Sequence, residues 1–75
     1  MERYKNLGGD SNVIAYAIET QSITVQFRDN SVYLYTNGSA GANNIERMKE
    51  LASNGQGLNS FINRVVKKKY ASKLR

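Results

Sequence analysis

Ser22 to Arg28 reads SITVQFR, and its alternation limits the possible folds more than any other stretch of the chain. Ile23, Val25 and Phe27 are apolar, whereas Ser22, Thr24, Gln26 and Arg28 are polar. Strand side chains point to opposite faces with period two, so this segment predicts a strand with one buried and one wet face. Such a strand needs neighbours and a cover. Val13–Ile18 (VIAYAI) supplies one neighbour, with Ile14, Tyr16 and Ile18 large on one side and Val13, Ala15 and Ala17 smaller on the other. Ser31–Thr36 (SVYLYT) supplies the second. Glu19-Thr20-Gln21 and Asp29-Asn30 fall between the strands as short turns, which predicts an antiparallel meander.

The cover comes from the second half of the chain. Ile45, Met48, Leu51 and Ala52 recur at helical spacing. Asn43 or Asn44 is the expected cap, Glu46 falls in the first turn, and Asn54-Gly55 is the expected stop. Leu58, Phe61, Ile62, Val65 and Val66 form the apolar stripe of a second helix that starts near Gly57. The expected fold is therefore α+β, in the order βββαα: a three-stranded antiparallel meander followed by two helices packed on one sheet face. Residues 1–12, polar and carrying Gly8-Gly9, read as a flexible lead-in. Residues 13–67 read as the domain and residues 68–75 as a basic tail. Thr36–Gly41 (TNGSAG) reads as a loop.

Tyr33 and Tyr35 share one face of the third strand, and the preceding turn decides which face. A two-residue loop, Asp29-Asn30, pairs Val25 with Leu34 and turns both tyrosines outward, beside Thr24, Gln26 and Arg28, as a base-stacking surface. A three-residue loop, with Asn30 in a left-handed bulge, pairs Val25 with Tyr33 and Ile23 with Tyr35. The tyrosines then line the core side. A one-residue slip exchanges the two faces completely. In the second register Ala15, Ala17, Val32 and Leu34 form a mildly apolar open face suited to a protein partner or a homodimer.

At 75 residues the chain makes one small domain, and it contains neither Cys nor His. Disulfides, thiolate chemistry and the two commonest zinc ligands are thereby excluded. No metal site and no cofactor are expected. No apolar run is long enough to span a membrane, and MERYKNLGGD has no apolar signal segment, so the expected location is cytoplasmic. Net charge is +5, but it is unevenly placed: Arg64, Lys67, Lys68, Lys69, Lys73 and Arg75 follow Ser60 with no acid among them. KKKYASKLR also interleaves Tyr70 with these cations, a pattern that attracts phosphates and offers a stacking ring.

The order Ile14…Tyr16, Ile23-x-Val25-x-Phe27, Val32-Tyr33-x-Tyr35, Ala52-Ser53-x-Gly55 and Asn59-x-x-Ile62 resembles the KTSC domain, a short module named after the C-terminal region of some lysyl-tRNA synthetases. The resemblance runs from about Ser11 to Arg64 and marks Tyr33, Tyr35, Ser53, Gly55 and Asn59 as family-motif positions. It implies no established activity, and RNA binding as the suggested role. The family usually carries Gly where Asn30 stands, which implies the bulged turn and inward tyrosines. It also carries a Val-Pro element after the second Tyr, where this chain has Thr36-Asn37-Gly38-Ser39.

No catalytic constellation is present. Asp10, Glu19 and Asp29 fall in lead-in or turn positions, and Glu46 and Glu50, one helical turn apart and flanked by Arg47 and Lys49, read as a solvated helix face. Gly38-Ser39-Ala40-Gly41 lacks the Gly-Lys-Ser/Thr of a phosphate loop. The expected function is a non-catalytic module that binds RNA or another polyanion through Arg64, Lys67, Lys68, Lys69, Tyr70, Lys73 and Arg75. A protein-interaction or self-association module using the open sheet face is the alternative.

Overall fold

A computed structural model describes residues 1–9 and 11–75. The strands are β1 (Glu2–Arg3), β2 (Val13–Glu19), β3 (Ser22–Phe27), β4 (Val32–Thr36) and β5 (Ser72–Lys73). The helices are α1 (Asn37–Ala40), α2 (Ala42–Asn54) and α3 (Leu58–Phe61), which runs on as a π-helical turn over Ile62–Val66. The fold is α+β. Its sheet is antiparallel and five-stranded, in the order β1-β2-β3-β4-β5, rather than three-stranded. The extra strands are two residues each, too short to carry a periodic signal.

The turn after β3 takes the three-residue form. Phe27 N–H donates to Ser31 O at 2.9 Å, Asn30 N–H donates to Phe27 O at 2.9 Å, and Asn30 has φ 70°. Asn tolerates this left-handed conformation better than most residues, because its short polar side chain bonds locally. Val25 then pairs with Tyr33 and Ile23 with Tyr35, so both tyrosines face the core side with the apolar residues of β3.

A bulge in β2 changes one expected face. Val13 pairs with Phe27, but Ala15 pairs with Gln26, so Ile14 is the extra residue. Val13 therefore shares the inward face with Tyr16 and is buried, whereas Ile14 is half-buried. Alternation without a bulge predicts the opposite for this pair.

The inward residues Val13, Tyr16, Ile23, Val25 and Tyr35 form one core cluster with Ile45, Met48 and Ala52 of α2 and with Leu58, Ile62 and Val66. Burying side chains of this size contributes about 1.5–3 kcal/mol each. Val66 is fully buried but Val65 is 40% exposed. The π turn, closed by Lys67 N–H to Ile62 O at 2.6 Å, therefore presents the 58-62-66 row to the core.

The segment expected as a flexible lead-in contributes to this core. Tyr4 N–H donates to Ile14 O at 2.9 Å beyond β1, and the Tyr4 ring is buried. Its hydroxyl accepts from Leu58 N–H at 3.2 Å, one of the otherwise orphaned donors at the start of α3. Leu7 N–H donates to Gly55 O at 2.8 Å. Gly55 ends α2 with φ 79°, and a Cβ there would lie 2.5 Å from Lys5 Cβ, so glycine is required both by conformation and by the close approach of the N-terminal segment.

Two capping details also differ from expectation. The N-cap of α2 is Gly41, and Asn44 Nδ2 donates to Ala40 O at 2.8 Å instead of capping. Thr36–Gly41 is not a plain loop: Thr36 and Ser39 form a reciprocal capping box that starts α1, with Ser39 N–H to Thr36 Oγ1 at 3.1 Å and Thr36 N–H to Ser39 Oγ at 3.0 Å. Among the described residues, no helix is long and apolar enough to cross a membrane.

Candidate nucleic-acid interface

The chain leaves the π turn at Lys67, whose φ of 48° and ψ of −116° redirect it across the end of the sheet. Residues 68–75, expected as a basic tail, therefore join the sheet. Ala71 N–H donates to Leu34 O at 2.7 Å and Leu74 N–H to Val32 O at 2.7 Å, which lays this segment along β4 as β5. Tyr33 stands opposite Lys73 and Leu34 opposite Ser72.

This path brings Tyr70 onto the tyrosines of β4. The Tyr33 and Tyr70 ring centroids lie 4.7 Å apart at 60°, and Tyr35 and Tyr70 lie 6.3 Å apart at 89°. Phe27 meets Tyr33 edge-on at 5.7 Å. Contacts of this geometry contribute about 0.5–1.5 kcal/mol each beyond the area they bury. Lys73 Nζ stands 5.7 Å from the Tyr33 ring centroid, within cation–π range.

These rings wall a cleft of about 480 Å³, also lined by Ile62. Arg28, Lys67 and Lys68 supply its positive charge, and Asn12, Ser31 and Asn63 supply neutral polar groups. Asp29 is its one acid among the described residues. Phe27, Tyr33 and Tyr70 remain half-buried, whereas Tyr35 is only 2% exposed. Tyr33 is thus both packing and cleft wall, and Tyr35 is mainly packing.

Of the basic residues singled out in the sequence, Lys67 and Lys68 line the cleft and Lys73 stands against its Tyr33 wall. Arg64, Lys69 and Arg75 do not line it. Arg64 Nε donates to Ser60 O at 3.4 Å on the exposed side of the helix. Sequence reading missed Phe27, Arg28 and Asn12 as parts of the same site. The pairing of Tyr33 with a residue thirty-odd positions later has no local signal.

The other marked residues lie elsewhere. Asn59 lines a second, smaller cleft of about 270 Å³ with Tyr4, Asn6 and Ser11. Gly55 holds the N-terminal segment, and Ser53 is exposed at the end of α2 near the Tyr16 phenol. On the expected open face Val32 is a correction. It is only 9% exposed, because the chain at Leu74–Arg75 pairs with its backbone on one side and Gln26 flanks it on the other. Ala15, Ala17 and Leu34 are half-buried. Glu46 and Glu50 each take their own cation, Glu46 the half-buried Lys49 at 3.1 Å and Glu50 the exposed Arg47 at 3.0 Å. Among the described residues no three carboxylates converge where a metal ion could sit.

Burial, reinforced by the neighbouring Tyr33 and Tyr70 phenols, pushes the Tyr35 hydroxyl up to about 12 from an ordinary 10.0. The folded state therefore keeps a proton that the unfolded chain loses first. Stability from this group is complete below about pH 10 and falls as pH rises toward 12. Urea unfolding midpoints are expected to drop across that window, and Tyr35→Phe to reduce the drop. Tyr16, raised by burial and by Glu2, leaves a remainder.

No family model matches the sequence, and neither a curated protein nor a solved structure matches it.

Proposed function

We propose that this chain is a small, KTSC-like, non-catalytic module that binds single-stranded RNA or a closely related nucleic acid. The observation that carries the reading is the meeting of Tyr70, from the basic segment, with Tyr33 in a cleft that also holds Arg28, Lys67 and Lys68. Half-buried rings offer faces on which bases stack, and every base has such a face. Cations around the rings attract the backbone that links those bases. A duplex keeps its base faces stacked on one another, so the rings favour an unpaired strand. The net charge of +5 adds longer-range attraction over about 8 Å at physiological salt.

Such a site binds modestly and with strong salt dependence. Fluorescence anisotropy with a short labelled single-stranded RNA is expected to show saturable binding near about 50 mM salt and a steep loss by about 200 mM. The matching duplex should bind more weakly. Absence of binding at low salt, or tighter binding of the duplex, would overturn the reading.

A further inference from the structure

Asp29 is out of place in a site that only attracts phosphates. It repels them, yet it lines the cleft beside Arg28, Lys67 and Lys68. Its position is fixed by an Asx-type turn: Oδ1 accepts from Ser31 N–H at 2.9 Å and from Ser31 Oγ at 2.6 Å. Both bonds reach the same oxygen. The two Ser31 bonds hold the carboxyl below its usual range, and Lys73 adds to the effect, so it is ionised at neutral pH and accepts but does not donate. Lys73 also stands over the Tyr33 ring, and Asp29 and Tyr33 line the same cleft.

An acceptor beside a stacking ring reads the donor edge of a base. We propose that the cleft selects guanine: the base stacks on the half-buried rings of the Tyr33–Tyr70 pair and turns its N1–H and N2 amino group toward Asp29 Oδ2, the carboxylate oxygen that Ser31 does not use, while Arg28, Lys67 and Lys68 take the flanking phosphates. Guanine presents two adjacent donors on that edge. Adenine and cytosine present one amino group each. Uracil presents a single N–H between two carbonyl oxygens, which the carboxylate repels. The order of preference is therefore guanine first and uracil last. A cleft of about 480 Å³ is of a size for a ligand on the scale of one nucleotide. The inference rests on the nucleic-acid reading above.

The test compares two short RNAs, one all uridine and one with a single central guanosine, on the wild type and on Asp29→Asn. Asp29 is exposed, and Asn keeps an oxygen for the Ser31 bonds while presenting an uncharged amide, so the variant retains the turn. Wild type is expected to bind the guanosine strand at least about fivefold more tightly, in the range of one good side-chain–base contact. Asp29→Asn is expected to bring the two strands to parity, whatever change in affinity they share. Equal binding of both strands by the wild type, or a guanosine preference that survives in Asp29→Asn, overturns guanine selection and leaves the nucleic-acid reading intact. Failure of both strands to bind at low salt overturns both.

Discussion

Replacing Arg28, Lys67 and Lys68 together by Gln is expected to weaken single-stranded RNA binding about a hundredfold at low salt and to flatten its salt dependence. Each phosphate contact on a single strand contributes about 0.7 to the slope of log affinity against log salt, so losing three contacts lowers that slope by about 2. At about 50 mM salt, counterion release from three contacts amounts to roughly two to three powers of ten in affinity. The control removes the same charge elsewhere: Arg64, Lys69 and Arg75, none of which lines the cleft, are replaced by Gln. Diffuse attraction alone predicts equal losses from the two triple variants. A site centred on the aromatic cleft predicts a several-fold loss from the control and the full loss from the first. Anisotropy titrations over a salt series separate these outcomes, and equal losses would remove the cleft from the reading.

Leu58→Ala is expected to have the largest effect on stability. Leu58 is fully buried in the core cluster shared with Val25, Met48 and Ile62. Truncating a buried Leu to Ala costs about 2–5 kcal/mol, because the transfer free energy is lost and a cavity is left behind. A domain of this size has about 4–11 kcal/mol in total, at about 0.05–0.15 kcal/mol per residue. The melting temperature should therefore fall by at least about 8 °C, and the variant will be partly unfolded when the true cost lies at the upper end. Thermal unfolding followed by circular dichroism measures this directly. A fall of only a degree or two would mean that the start of α3 relaxes into the vacated space. In that case the bond from Leu58 N–H to Tyr4 Oη would be displaced as well.

Legibility in the sequence followed range. Strict alternation in β3 and the apolar stripe from Leu58 to Val66 are visible because each is set by neighbours a few residues apart. The hairpin before β4 could be read as two alternatives, and the left-handed conformation of Asn30 selects between them. The strands β1 and β5 were not legible. Each has two residues and exists because distant groups hold it: Tyr4 through Ile14 and Leu58, and the 71–74 segment through Val32 and Leu34. The bulge at Ile14 shows the same limit, since an extra residue in one strand reverses faces without altering composition. In the candidate site, the cations were legible as a charge run, but their division into cleft and non-cleft members was not. That division depends on the backbone turning at Lys67, a non-glycine residue at positive φ, which no spacing rule anticipates.

The small strand β5 also covers an edge of the sheet. β4 would otherwise end the sheet with unpaired N–H and C=O groups along Val32–Leu34, a template on which another chain's strand can add. Ser72–Lys73 and the backbone around them occupy those groups and place a lysine at the rim. The segment that carries the phosphate-seeking charges thus also guards the sheet against stacking edge to edge with its neighbours. A ligand that peeled it away to reach the tyrosines would uncover that sticky border. Occupancy of the cleft and freedom from aggregation are compatible only while the segment remains paired. On the proposed reading, the cleft is ordered in advance of its ligand and not assembled around it.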